Sequence, residues 1–130
     1  MEKLRFAHFW IAIGFLLIGL VVYASLMRNP PDLTHIQGGD KVEHAVAYFI
    51  LTFWFSLIYV KNRVRWTIGI TFIFLGVAME YLQRMTGYRT FEYADMAANT
   101  VGVLCALFAA QTPLARGLAA VEKYLLRPVR

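Results

Sequence analysis

The chain contains 130 residues, of which 59% are hydrophobic and 16% charged, and its formal net charge is +5. Soluble domains usually carry about 25% charged residues, so this composition argues against a soluble domain and favours a single membrane domain. The positive charge does not indicate nucleic-acid binding, because the basic residues lie between apolar segments and form no basic and aromatic surface. No nucleic-acid partner is therefore expected.

Four apolar segments are long enough to cross a membrane, because a helix rises about 1.5 Å per residue and about 20 residues span the hydrocarbon core. The predicted spans are 6–27, 42–60, 66–82 and 93–110. We expect the first to be a retained span, since its roughly 22 residues exceed the roughly 7–15 residues of a signal-peptide core. The sequence therefore predicts an all-α polytopic membrane protein with four transmembrane helices in one domain of residues 1–130.

Short polar connections separate these segments. Pro30 and Pro31 end the first helix, because proline lacks a backbone donor and restricts the residue before it. Asp40 follows two glycines and is well placed to cap the second helix. Residues 114–130 alternate apolar and basic side chains, which favours an interfacial helix on an anionic leaflet, with a disordered basic tail as the alternative. Cys105 lies in an apolar run and is expected to be a buried structural thiol.

The basic residues are distributed unevenly between the two sides of a four-span arrangement. Lysine and arginine near membrane spans are retained preferentially on the cytoplasmic side. Nine of the 13 basic residues fall on the side of the two termini. They are Lys3, Arg5, Lys61, Arg63, Arg65, Arg116, Lys123, Arg127 and Arg130. Both termini are therefore expected to be cytoplasmic, and the first and third connections extracytoplasmic.

Three of the predicted spans carry polar side chains at one end only, which is the extracytoplasmic end in each. Their spacing of three or four residues places them on one face of each helix. They are Asp40, His44 and Tyr48 in the second span, Glu80, Gln83 and Arg84 in the third, and Asp95 and Asn99 in the fourth. Gly102 follows on the same face of the fourth span and would allow a close approach of a neighbouring helix. Ionisable groups at this depth cost several kcal/mol unless they pair or line a wet cavity, so they are functional candidates by default.

The same residues resemble the signature of the VanZ-like family. Residues 40–48 read D-K-V-E-H-A-V-A-Y, which is similar to the family pattern D-K-x-x-H-x-x-x-Y. Residues 80–83 and 89–102 are similar to its pattern E-x-x-Q followed by R-x-x-(E/D)-x-x-D-x-x-x-N-x-x-G. The resemblance implies an integral protein of the bacterial cytoplasmic membrane with its site on the extracytoplasmic side. The founding member is linked to teicoplanin resistance, so a role in glycopeptide resistance is a further expectation.

Within this site, four residues are candidates for catalysis and five for ligand binding. Glu80 or His44 would act as general acid or base, with Asp40 orienting the imidazole. Arg89 offers paired donors to an anionic group. The catalytic candidates are Glu80, His44, Asp40 and Asp95, and the ligand-binding candidates are Arg89, Asn99, Gln83, Tyr48 and Lys41.

Each candidate also has a structural interpretation. Asp40 could only cap its helix, and Arg89 could form a salt bridge with Asp95 or Glu80. A metal site of His44 with these three carboxylates would suit zinc or manganese. However, the sequence contains no H-E-x-x-H motif, cysteine pair, P-loop or G-x-S-x-G nucleophile elbow. No metal and no other cofactor is therefore predicted.

The sequence supports three functional hypotheses. In the first, the polar site binds or processes a lipid-linked or cell-wall-related polar headgroup. In the second, the protein is a non-catalytic structural or interaction protein whose polar residues lock the helix bundle. The third is a proton-coupled small carrier, which four short spans make less favourable unless the chain oligomerises. Membrane lipids are the expected partners, while the ligand, any enzymatic activity and the oligomeric state stay open.

Overall fold

The structure, a computed structural model, describes residues 4–126. Helices account for 76% of these residues and no strand occurs among them, which confirms the expected all-α class. In chain order the helices are α1 (Ala7–Leu26), α2 (Gly39–Ile58), α3 (Asn62–Met85), α4 (Tyr93–Ala109), a 3₁₀ turn (Pro113–Arg116) and α5 (Gly117–Leu125).

Three helices, α1, α2 and α3, are long and apolar enough to cross a membrane. α4 has 17 residues. This length corresponds to about 25 Å, which is shorter than the roughly 30 Å of a hydrocarbon core. α4 passes the same test only together with Pro113–Leu125, from which it is bent by 79°. By length and composition the described residues therefore contain three candidate spans, or four if this bent pair crosses as one.

α1 presents apolar side chains to the outside of the bundle. Only Gly14 is buried among its 20 residues. Phe15, Leu16 and Leu20 are each more than half exposed. Lipid tails are as apolar as these side chains, so this surface suits a hydrocarbon environment better than water.

Successive helices run antiparallel, and α2 contacts the three other long helices. Its contact with α4 is the most extensive. The end of the bundle where α2 starts, α3 ends and α4 starts is called the cluster end below. The apolar core between the helices consists of Tyr48, Leu51, Phe55, Phe72, Val103 and Leu107.

α2 and α4 approach each other closely at Gly102. A Cβ atom on this residue would lie 2.1 Å from the backbone oxygen of Ala45. Glycine permits this approach, because any larger residue would overlap with backbone that cannot rotate away. Since His44 precedes Ala45 and Asn99 lies almost one turn before Gly102, the close approach brings these two polar side chains together.

At the opposite end, the buried Arg65 joins the ends of two helices. Its guanidinium donates hydrogen bonds to the backbone oxygens of Ser56, at 2.9 and 3.1 Å, and Tyr59, at 3.0 Å, where α2 ends. It also donates to the backbone oxygen of Ala110 at 2.8 Å, where α4 ends. The last carbonyls of a helix lack intrahelical donors and carry partial negative charge. A buried cation at this place therefore stabilises both helix ends at once.

α5 folds back onto the start of α1 through Glu122. The Glu122 carboxylate accepts hydrogen bonds from the backbone N–H groups of Arg5, at 2.7 Å, and Phe6, at 2.9 Å. It also accepts one from the indole N–H of Trp10 at 2.8 Å. N–H groups at the start of a helix have no intrahelical acceptor, so Glu122 serves as a cap supplied from a distant part of the sequence.

The segment 114–130, predicted as an interfacial helix, is helical over Gly117–Leu125. The alternative of a disordered tail is therefore wrong for these residues. Leu118 is buried in a small apolar cluster with Ile58, so α5 packs on the bundle through one face. Residues 127–130 of the predicted segment lie outside the described residues, and its position at a membrane interface stays a prediction.

The helix boundaries differ from the predicted spans mainly at the polar ends. α2 begins at Gly39 and α3 covers Asn62–Met85, whereas the predicted spans are 42–60 and 66–82. Hydropathy misses these turns because they contain charged side chains, which a helix accommodates where it leaves the hydrocarbon. Cys105, expected to be buried, is exposed on α4, so that expectation is wrong.

Two carboxylates hold the connection between α1 and α2. Asp32 Oδ1 accepts the backbone N–H groups of Thr34 at 3.1 Å and His35 at 2.8 Å. Glu43 Oε1 accepts the backbone N–H of Leu33 at 2.7 Å. The backbone N–H of His35 holds the pKa of Asp32 below its ordinary value. Asp32 and His35 lie outside the site described next and provide matched controls for it.

Candidate functional site

Five polar residues from three helices meet at the cluster end and are called the polar cluster below. They are Lys41 and His44 of α2, Glu80 of α3, and Asp95 and Asn99 of α4. The exposed fraction is 0% for Glu80, 2% for Asn99 and 6% for Asp95, and Lys41 and His44 are half-buried. All five belong to the candidates from the sequence, and the structure brings them together.

His44 joins α2 to α4 through both ring nitrogens. Its Nδ1 lies 3.0 Å from Oδ1 of Asn99, and its Nε2 lies 3.7 Å from Oδ2 of Asp95. An amide oxygen can only accept a hydrogen bond, so Nδ1 is the donor. In the neutral imidazole the lone pair is then on Nε2, on the side of Asp95.

Lys41 is the cation of the polar cluster. Its Nζ lies 2.7 Å from Oδ2 of Asp40 and 2.5 Å from Oδ1 of Asp95, and it also contacts the carboxylate of Glu92. The ammonium is the charge partner of this buried oxygen of Asp95. Lys41 therefore connects α2 with the start of α4.

Glu80 is fully buried, yet only one of its carboxylate oxygens has a hydrogen-bond donor. Oε2 accepts the backbone N–H of Glu92 at 3.3 Å, whereas Oε1 has no partner among the described residues. The hydroxyl of Tyr48, which is 2% exposed, also has none. Buried polar atoms are normally paired, because an unpaired one costs free energy. The two atoms therefore identify unmet hydrogen-bonding or ligand-binding capacity beside the polar cluster.

Gly76 allows the polar side chains to lie against α3. A Cβ atom on this residue would lie 3.0 Å from Nδ2 of Asn99 and 3.3 Å from Cε1 of Tyr48. Glu80 follows one turn later on the same helical face. The face of α3 turned towards the cluster thus has no side chain at one turn and a carboxylate at the next.

Asp40 has neither of the two roles predicted for it. The imidazole of His44 is oriented by Asn99, while the exposed Asp40 carboxylate pairs with Lys41. Asp40 does not cap α2 either, because the helix already begins at Gly39 and has no side-chain cap. The adjacent ammonium attracts this carboxylate more strongly than a neutral imidazole one turn away would.

Arg89 and Gln83 donate hydrogen bonds to the end of α1. Arg89 Nη1 donates to the backbone oxygen of Met27 at 3.1 Å, and Gln83 Nε2 donates to that of Ser25 at 2.8 Å. The carbonyls at the end of a helix need such donors. Within residues 4–126, Arg89 forms no salt bridge with a carboxylate, so the predicted structural alternative for it is wrong. The ligand-binding roles of both residues stay predictions.

Two groups of side chains in the described part of the chain have ligand types and spacing that suit a metal ion. One ligand atom from each of His44, Glu80 and Asp95 lies within 4.8 Å of the other two. The second group combines Asp95 with Asp40 and Glu92, which already surround the ammonium described above. The first group offers an imidazole nitrogen and two carboxylates, which are metal ligands or acceptors for hydroxyl groups.

Glu92 received no role in the sequence analysis, although it contacts the polar cluster twice. Its backbone N–H donates to Glu80, and its carboxylate pairs with Lys41. Its position three residues before Asp95 could have indicated this role, because it places the Glu92 carboxylate immediately before the first turn of α4. Side chains at that place face the same end of the bundle as the start of α2.

No protein-family profile matches the chain, and no solved structure matches it. The chain is 32% identical over 93 residues to an uncharacterized protein of the fission yeast Schizosaccharomyces pombe. The match covers 69% of this chain and 57% of the yeast protein. The chain thus spans little more than half the length of this relative, whose eukaryotic source points away from a bacterial origin. The resemblance to the VanZ-like family stays a prediction.

Proposed function

We propose that this protein is a VanZ-like membrane protein that binds the polar headgroup of a membrane lipid at the polar cluster. The observation that carries the proposal is Glu80, a fully buried carboxylate with one unpaired oxygen. This carboxylate lies beside His44 and Asp95, which come from two other helices. A closed structural cluster would pair such an oxygen internally. An unmet acceptor at the end of candidate membrane helices suits a ligand that approaches from the lipid surface.

The charges of the cluster indicate which headgroup chemistry it accepts. Carboxylates accept hydrogen bonds, so hydroxyl groups of a sugar or glycerol headgroup fit Glu80 and Asp95 directly. A bare phosphate would be repelled by the same carboxylates unless a cation lay between them. We therefore place hydroxyl-rich headgroups first and phosphate headgroups second, the latter with a cation present.

In the proposed orientation, the cluster end lies at the extracytoplasmic side and both termini are cytoplasmic. The support is the distribution of basic residues, since lysine and arginine favour the cytoplasmic side of membrane spans. Lys61, Arg63 and Arg65 follow the end of α2, and Arg116 and Lys123, in the 3₁₀ turn and α5, are at the same end of the bundle. A lipid site at the cluster end then faces the outer leaflet.

The proposal predicts selective binding of lipids with a polar headgroup to the full chain in detergent. Native mass spectrometry measures binding of a glucosyl diacylglycerol, of phosphatidic acid and of diacylglycerol, which has a single hydroxyl in place of the sugar. We expect the glucosyl lipid to bind about tenfold more tightly than diacylglycerol, because each further hydrogen bond from the sugar to a charged group contributes roughly 1.5 kcal/mol or more. Glu80→Gln and Asp95→Asn are expected to remove this preference in folded protein.

Asp32→Asn is the matched control, because it removes one negative charge at the same end of the bundle without touching the polar cluster. It should retain the preference of the wild type. Equal binding of all three lipids by the wild type contradicts the proposal, as does an unchanged preference in Glu80→Gln.

A structural role is the second candidate, because close contacts of the cluster already tie α2 to α4. These are the Lys41–Asp95 ion pair, the His44–Asn99 hydrogen bond and the longer contact between His44 and Asp95. If this were the only role, Asp95→Asn would lower the melting temperature and no lipid would bind selectively. The lipid measurement and a thermal unfolding curve on the same samples therefore separate the two candidates.

A further inference from the structure

We propose that His44, Glu80 and Asp95 form a binding site for a divalent transition-metal ion, with zinc as the preferred ion. The three side chains come from α2, α3 and α4, so the ion would join three helices. One ligand atom of each lies within 4.8 Å of the others. Ligand atoms in a tetrahedral zinc site are about 3.3 Å apart, so small side-chain movements would complete the coordination.

The imidazole of His44 is already prepared to coordinate a metal ion. Histidine ligands usually donate their second ring N–H to a carbonyl or carboxylate, which fixes the tautomer and the ring orientation. His44 donates from Nδ1 to Oδ1 of Asn99 at 3.0 Å. Its Nε2 lone pair is thereby directed to the side where Oδ2 of Asp95 lies, 3.7 Å away. Asn99 thus acts as a positioning residue for the metal ligand.

Glu80 supplies the independent indication that a ligand belongs in this place. The side chain is 0% exposed and its Oε1 has no hydrogen-bond donor in the described part of the chain. A carboxylate held in this way carries an uncompensated charge or lone pair, which a metal ion would satisfy directly. The nearby hydroxyl of Tyr48, also buried and unpaired, could donate to a water molecule or a substrate oxygen on the ion.

The ammonium of Lys41 does not occupy the proposed site. It contacts Oδ1 of Asp95, whereas Oδ2 of the same carboxylate is the oxygen near His44. The ammonium therefore lies between Asp40, Glu92 and Oδ1 of Asp95 and leaves Oδ2 of Asp95 on the side of His44. Three carboxylates, those of Asp40, Glu92 and Asp95, contact this single ammonium, and the carboxylate of Glu80 lies close to Asp95. A divalent ion would therefore bring the charge of the whole cluster closer to balance.

The ligand set favours zinc over magnesium or calcium. An imidazole nitrogen with two carboxylates is a typical zinc donor set, whereas magnesium and calcium prefer oxygen ligands throughout. Three protein ligands leave one position open, as in zinc sites that bind a substrate. The inference deepens the proposed function, because the open position would hold a phosphate oxygen of a lipid headgroup. Only this occupant of the open position rests on the proposed function.

Metal content can be measured without any assay of activity. The full chain is purified through a tag without histidine, stripped with a chelator, dialysed against micromolar zinc and analysed by mass spectrometry of the metal. We expect about one zinc ion per chain in the wild type. Asn99→Ala is expected to weaken zinc binding by about 10- to 100-fold, because it removes the partner of the imidazole but no ligand.

His44→Gln and Asp95→Asn are expected to abolish the stoichiometric zinc, while His35→Gln and Asp32→Asn, outside the cluster, should retain it. Cobalt substitution gives a second measurement on the wild type, which does not depend on any variant folding. Visible absorption bands of low-symmetry cobalt with nitrogen and oxygen ligands support the site. A featureless spectrum together with zinc below about 0.1 ion per chain overturns it, and equal zinc in His44→Gln shows adventitious binding only.

The lipid titration distinguishes failure of this inference from failure of the proposed function. Phosphatidic acid should bind the zinc-loaded wild type more tightly than the stripped wild type. If zinc does not bind but the glucosyl lipid still binds selectively through Glu80, the metal site is refuted and the proposed function stands. If zinc binds but no lipid binds selectively, the proposed function is refuted and the metal site stands.

Discussion

Gly102→Ala is expected to lower the free energy of unfolding of the detergent-solubilised protein by about 3 kcal/mol or more. The added Cβ would lie 2.1 Å from the backbone oxygen of Ala45, so α2 and α4 must separate. Their separation also lengthens the hydrogen bond between His44 and Asn99, which lie beside this contact. Unfolding in denaturant, followed by circular dichroism, measures the loss.

Gly19→Ala is the matched control for this substitution. Gly19 is also in the interior of a long helix, but nothing lies within 4 Å of a Cβ atom built on it. Alanine there should be neutral or stabilising by up to about 1 kcal/mol, the difference in helix propensity. If Gly102→Ala were as stable as Gly19→Ala, the close packing of α2 on α4 would be wrong.

Arg65→Ala is expected to destabilise the protein by about 3–5 kcal/mol, because it leaves buried carbonyls at two helix ends without donors. The guanidinium donates to three backbone oxygens, of Ser56, Tyr59 and Ala110. We expect a much lower yield of monodisperse protein and a reduced melting temperature. Arg65→Lys should be intermediate, since an ammonium keeps the charge but cannot reach three acceptors in a planar fork.

Arg63→Ala controls for the loss of a positive charge at this end of the bundle. Arg63 is exposed and lies two residues before Arg65 in the first turn of α3. A purely topological role would make the two substitutions equivalent, because both remove one basic residue from the same connection. A melting temperature of Arg65→Ala within about 2 °C of that of Arg63→Ala, or less than about 1 kcal/mol of destabilisation, would contradict the capping role.

The helices were predictable because apolar length is a strong signal. The predicted span 6–27 differs from α1 (Ala7–Leu26) by only one residue at each end. The agreement is close because polar residues bound this apolar segment on both sides and prolines follow its end. The prediction was less accurate where charge and helix coexist. α3 begins at Asn62, whereas the predicted span begins at residue 66. The prediction missed the first turn because its basic side chains lower the hydropathy, although such side chains can reach water or helix ends.

The meeting of three helices at one level was predictable, but their pairing was not. Spacing along a helix shows which residues share a face, so His44, Glu80 and Asp95 could be assigned to one end of the bundle. It does not fix the rotation of one helix relative to another. The partner of His44 therefore depends on the contact at Gly102. The sequence analysis assigned the orientation of the His44 imidazole to Asp40, one turn away, whereas Asn99 performs it.

Glu122 shows a signal that sequence analysis could have used. It follows Leu118 by one helical turn, so an acidic residue lies on the buried face of α5. Such a carboxylate needs donors, and the start of a helix offers N–H groups. Arg65 gave no comparable signal, because three basic residues in a short connection are fully explained by membrane topology. Its acceptors become apparent only when the ends of α2 and α4 are placed side by side.

The most direct measurement is the distance between the His44 ring and the Asp95 carboxylate in a lipid bilayer. Solid-state NMR would measure it in a chain labelled with ¹⁵N in histidine side chains and ¹³C at aspartate Cγ, with His8→Gln and His35→Gln making His44 the remaining histidine. The expected distance from Nε2 to Cγ is less than about 5 Å, since Oδ2 lies 3.7 Å from Nε2 and one bond farther is the carbon. The coupling should vanish in Asp95→Asn. Absence of the coupling in the parent chain would mean that these side chains face different surfaces, and neither the lipid site nor the metal site could exist as described.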